Sequence, residues 1–111
     1  MKKVYSLKRN EEIAQIVHSR KFVKNECYSI YYSLNKQCDH ARICISVSKK
    51  LGHAVVRNKI KRQVREMLTD IFDFTKNYDF VVVVRNNFLD KSFQENKALL
   101  SNLYLKLIPN K

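Results

Sequence analysis

Arg42-Ile43-Cys44-Ile45-Ser46-Val47-Ser48 runs into Lys49-Lys50-Leu51-Gly52, and beyond Ala54-Val55-Val56 comes Arg57-Asn58-Lys59-Ile60-Lys61-Arg62-Gln63-Val64-Arg65. The hydrophobic period changes inside this stretch. Before Gly52 it is two: Ile43, Ile45 and Val47 share one face of a strand, and Arg42, Cys44, Ser46 and Ser48 share the other. After Gly52, Ile60, Val64, Met67, Leu68 and Ile71 fall within roughly 100° of circumference at about 100° per residue, the stripe of an amphipathic helix. A strand that turns at a glycine into a long helix places the chain among mixed α and β domains. With Ile60 at the origin, Asn58, Lys61, Arg62 and Arg65 lie at about 160°, 100°, 200° and 140°, a polar face opposite the core stripe. Arg57 stands at the helix entrance, and Lys49 and Lys50 close the strand before it.

On the N-terminal side, Cys27 to Leu34 repeats the strand pattern, with Tyr28, Ile30, Tyr32 and Leu34 on one face and Cys27, Ser29, Tyr31 and Ser33 on the other. Two such strands predict a sheet with one apolar face and one open face of small polar groups, basic groups and Tyr31. Asn10-Glu11-Glu12 reads as a helix start, followed by an apolar stripe of Ile13, Ile16 and Val17. On the C-terminal side, Phe80 to Val84 is a continuous apolar, β-branched run, expected to be buried on both faces. Ser92 and Glu95 form a capping box ahead of Leu99, Leu100, Leu103 and Leu107, and Pro109 follows. The expected order is α-β-β-β-α-β-α, a four-stranded α+β arrangement. Its additional strand comes either from Phe22 and Val23 or from a split near Lys36. One glycine and one proline in 111 residues leave no linker, so residues 1–111 are expected to form one domain.

Charge is segregated along the chain. The net of +12 arises within residues 1–65, and residues 42–65 alone carry eight cations (Arg42, Lys49, Lys50, Arg57, Lys59, Lys61, Arg62, Arg65) and no acid. Residues 66–111 balance six against six. Mixed surface charge kept for solubility is not sorted in this way, so a polyanion, above all nucleic acid, is the expected partner. The longest apolar run is five residues, which excludes a membrane span, and Arg9 to Glu12 interrupt any signal peptide. Cys27, Cys38 and Cys44 cannot all pair and lack metal-site spacing, which points to a reducing cytoplasm. No nucleophile elbow, no glycine-rich phosphate loop and no carboxylate cluster stands in the basic half, so catalysis by the chain itself is not expected.

The run Arg57 to Arg65 resembles the signature of the bacterial ribonuclease P protein subunit. Ile45 to Gly52, Ala54-Val55-Val56, Leu7-Lys8, Asn10-Glu11, Tyr78-Asp79-Phe80 and Arg85 are also similar to that family. The resemblance covers nearly the whole chain. It implies a four-stranded sheet flanked by helices, with a left-handed crossover around the central helix. Crossovers are right-handed in about 98% of cases, so no local pattern could suggest this one. It also implies a role beside a large catalytic RNA that removes the 5′ leader from precursor tRNA, with Mg²⁺ held mainly by RNA and no cofactor on the protein. By position, Lys49, Lys50, Arg57, Asn58, Lys59, Lys61, Arg62 and Arg65 would contact RNA, and Ile13, Val17, Tyr31, Ser46 and Ser48 would line a leader-binding cleft. The chain departs from the family where Ile13 and Val17 replace aromatics, and where Lys59 replaces arginine and its fork of donors.

Plainer readings stand beside these. Tyr31 also reads, with less weight, as an ordinary sheet tyrosine, Asn58 as a helix-entry residue, and Arg62 and Arg65, with least weight, as partners of Glu66 or Asp70. A ribosomal-type structural RNA-binding protein would share the charge. DNA binding by a helix-turn-helix is disfavoured, because a strand and Gly52 occupy the place of the first helix.

Overall fold

The structure, a computed structural model, describes residues 3–107. Helix α1 spans Asn10–His18, strand β1 Phe22–Lys24, β2 Tyr28–Leu34, β3 Arg42–Val47, helix α2 Ala54–Ile71, β4 Tyr78–Val84 and helix α3 Phe93–Leu107. The α-β-β-β-α-β-α order is as expected, and the additional strand is the one at Phe22. The stretch near Lys36 is a turn, which Asn35 shapes by accepting the Gln37 N–H. Pro109 lies outside the described residues.

The sheet order is β1-β2-β4-β3. β1 and β2 form an antiparallel hairpin, β2 and β4 are antiparallel, and β3 runs parallel to β4 with α2 as the crossover between them. The hairpin turn is held by Asn25, whose side-chain oxygen accepts from the Cys27 and Tyr28 amides and whose amide group donates to Leu99 O on α3. β4 takes the centre, and Phe80, Val81, Val82 and Val84 are all buried, as the continuous apolar run requires.

One face of the sheet is closed. Tyr28, Ile30, Ile43, Phe80, Val82 and Val84 pack there with Ile60, Val64, Met67 and Leu68 of α2 and Leu100, Leu103, Tyr104 and Leu107 of α3. The capping box of α3 is present: the Glu95 amide donates to Ser92 Oγ (3.2 Å) and the Ser92 amide to Glu95 Oε1 (3.0 Å). Gly52, at φ 144°, turns the chain from β3 towards α2. A side chain there would be strained and would meet Val56 at 3.0 Å.

The second face differs from the expected open surface, because α1 covers part of it. Ile16 is buried with Leu7 and Val81, and Ile13, Val17, Tyr31, Cys44 and Val83 are partly buried around them. The three apolar positions of α1 needed a partner, and this face supplies it. Among the described residues no helix is long and apolar enough to cross a membrane.

Candidate nucleic-acid interface

The strand registers arrange the second face in cross-strand rows. The first is Ser33–Asp79–Arg42, the second Phe22–Tyr31–Val81–Cys44, and the third Lys24–Ser29–Val83–Ser46. Each row has its own chemistry.

The first row is an ion network. Arg42 donates to both carboxylate oxygens of Asp79 (Nε 2.9 Å, Nη2 2.8 Å) and to Glu12 of α1 (Nη2 2.7 Å), and Asn35 adds a bond to Asp79 at 3.1 Å. Asp79 is buried, so its charge needs these partners. Its carboxylate and that of Glu12 hold the Arg42 guanidinium protonated more firmly than usual. The network ties the start of α1 to the sheet. Arg42, part of the basic segment, is thereby committed to the fold.

The second row is apolar and aromatic. Tyr31 is half-buried against the α1 cluster, and its ring lies 5.1 Å from that of Phe22, which β1 brings alongside it. Burial pushes the Cys44 thiol up from its ordinary pKa, against the lowering influence of Lys61. The third row consists mostly of small or exposed side chains. Ser48 continues β3 beyond it, together with Arg85, Asn86 and Asn87, around a hollow of about 370 Å³. Of the expected cleft residues, Ile13, Val17 and Tyr31 thus lie together beside α1, and Ser46 stands one row further on. Ser48 also has local work, since its hydroxyl accepts the Lys50 amide (3.2 Å) and caps the turn at Lys49–Leu51.

The second candidate surface is α2. Ile60, Val64, Met67 and Leu68 are buried and Ile71 is half-buried, while Asn58, Lys59, Arg62 and Arg65 are exposed on the opposite side and Arg57 and Lys61 are half-buried at its margins. Lys49 and Lys50 are exposed just before it. Among the described residues none of these cations forms an ion pair. Asp70, a possible partner for Arg62 or Arg65, pairs with Lys97 instead (2.9 Å). Arg57 Nε is buried without a hydrogen-bond partner. A buried donor left open is unusual.

The two surfaces meet. Lys61 and Arg65 lean over the outer edge of β3 and line a notch with Ser6, Leu7 and Cys44, so the basic face of α2 continues round the sheet edge into the second row. Alternation along single strands assigned Tyr31, Ser46 and Ser48 to this side. Phe22, Lys24, Val83 and Arg85 escaped it, because their place depends on strand pairings that no local period encodes.

The pattern of the Ribonuclease P family matches residues 1–108. The ribonuclease P protein component of Mesoplasma florum is 39% identical over 110 residues, which cover 97% of this chain and 99% of that one. Its counterpart in Streptococcus agalactiae serotype III is 44% identical over 103 residues, covering 93% and 91%. Among solved structures, the RNase P protein of Staphylococcus aureus superimposes with a TM-score of 0.84 at 33% identity, over 94% of this chain and 95% of that one. The RNase P protein of Thermotoga maritima does so with a TM-score of 0.75 at 30% identity, over 88% and 93%. Pattern, sequence and fold agree over nearly the whole length, and the chain belongs to the ribonuclease P protein family.

Proposed function

We propose that this chain, as the protein subunit of ribonuclease P, binds the catalytic RNA through α2 and the 5′ leader of precursor tRNA along the second and third rows of the sheet. The RNA carries out the cleavage and the protein assists it. The observation that carries this reading is the unpaired basic face of α2, on which Lys59, Arg62 and Arg65 are exposed beside Asn58. A face of fixed cations on a helix anchored in the core suits a phosphate backbone.

The electrostatics suggest how it assists. Cations placed among phosphates replace divalent ions that the RNA would otherwise recruit, so the assembly needs less Mg²⁺. The Mg²⁺ belongs on this reading to RNA phosphates. Among the described residues no three His, Cys, Asp or Glu side chains gather where they could hold a metal; Glu12 and Asp79 are engaged by Arg42, and Glu26, at the hollow beside Ser48, pairs with Lys91. The cytoplasm, where precursor tRNA is made in bacteria, is the place of action on the same reading.

Reconstitution tests it. The protein with a bacterial ribonuclease P RNA is expected to cleave precursor tRNA at Mg²⁺ concentrations where the RNA alone is slow, and the protein alone is expected to cleave nothing. Specific cleavage by RNA-free protein, or no effect on the Mg²⁺ requirement, would overturn it.

A further inference from the structure

Phe22 is 41% exposed, and among the exposed large apolar side chains of the described residues it is the aromatic one. A single exposed phenylalanine needs no explanation. Its setting does. β1 is an edge strand of three residues, and its register sets Phe22 directly across from Tyr31, so both side chains emerge on the second face. The rings lie 5.1 Å apart and tilted by 36°, in contact along the outer part of the sheet face. Tyr31 is anchored by the α1 cluster on its inner side, which leaves the pair as a rigid shelf running from the cleft to the sheet edge. Lys24 follows on the same face, one row further and exposed.

Across the cleft, Ile13 and Val17 of α1 offer methyl groups and no π-face. We infer that Phe22 extends the base-stacking surface of the cleft from the strand side, receiving an unpaired leader base on a two-ring platform with Tyr31 while Lys24 stands beside the backbone. Stacking on an aromatic ring tolerates any base, so the platform would add affinity for single-stranded leader without adding sequence preference. This rests on the reading that the leader lies in this cleft.

The test uses the reconstituted holoenzyme with precursor and mature tRNA, comparing wild type with Phe22→Ala, Phe22→Leu and Phe22→Tyr, and with Tyr31→Ala as a reference. A leader carrying 2-aminopurine reports stacking by its quenching. Phe22→Ala and Phe22→Leu are expected to weaken precursor binding by roughly 5- to 50-fold and to relieve the quenching, with mature tRNA bound as before. Phe22→Tyr is expected to restore both. Wild-type behaviour of Phe22→Leu would reduce the contact to apolar packing and overturn the stacking role. Equal losses on both tRNAs would make Phe22 structural, again overturning it. If only Tyr31→Ala distinguishes the two tRNAs, this inference falls and the leader cleft stands; if neither substitution does, both fall.

Discussion

The two faces of the sheet come from the same strands and the same alternation, yet they end in opposite conditions. On one, twenty buried residues, from the strands, α2, α3 and the segments that join them, form a continuous core; on the other, Leu7, Ile16 and Val81 are the buried residues of a small cluster under a nine-residue helix. The closed face holds the fold together. The half-covered face leaves small and aromatic side chains at a cleft whose helix is held by one cluster and one ion network. Burial and availability are divided between the faces, so side chains stay accessible on one without opening the core on the other.

The sharpest way to break this contrast is to truncate one apolar side chain to alanine on each side. Leu68→Ala, at a fully buried site on the closed face, is expected to cost about 2–5 kcal/mol. Val17→Ala, half-buried on the other, should cost about 1 kcal/mol or less. Urea denaturation followed by circular dichroism measures both, and equal losses would abolish the distinction. Next in size is Arg42→Met, which strands the buried Asp79 carboxylate. The expected loss is about 3 kcal/mol, the lower end of the range for a broken buried pair because Arg42 keeps some solvent exposure. Adding Asp79→Asn should recover much of it, and failure to do so would mean that Arg42 acts by packing.

Smaller in stability and larger in binding are Arg62→Ala and Arg65→Ala. Both residues are exposed and unpaired, so unfolding should change by no more than about 0.5 kcal/mol. The slope of log affinity for the RNA against log salt should flatten by roughly 0.7 to 0.9 for each phosphate that the variant no longer neutralises. An unchanged slope would remove α2 from the interface. The smallest effect belongs to the cap of α3. Hydrogen bonds from Ser92 hold the Glu95 carboxyl below its usual pKa. Its folded pKa is depressed, so its contribution is full above the ordinary value of about 4.3 and fades as pH falls through the folded one. Protection of the amides at the start of α3, corrected for the intrinsic pH dependence of exchange, should fall over that window in wild type and lose this dependence in Glu95→Gln.

Much of the fold is legible in the chain because its signals are local. The change of period at Gly52, the apolar run at Phe80 and the Ser92 box each concern neighbours within a few residues, and each corresponds to the element found. The polar face of α2 is legible for the same reason, since helical geometry alone sets Arg62 and Arg65 opposite Ile60. What escapes is pairing. Nothing local says that β4 enters between β2 and β3, that Phe22 lies across from Tyr31, or that Ile13, Ile16 and Val17 will settle on the face that alternation leaves open. The Arg42 network is hidden likewise, because its three members come from positions 12, 42 and 79.

The central place of β4 also has a consequence for the order in which the chain is made. Until residues 78–84 leave the ribosome, β2 and β3 have no common neighbour, and the sheet lacks the strand that joins its two halves. By then the basic segment has long been synthesised: the net +12 is complete at residue 65, ahead of most of the acids. A nascent chain of this length is a strong polycation with an unfinished fold, surrounded by ribosomal RNA. Prompt completion of β4 therefore limits the time the chain spends as an unshaped polycation.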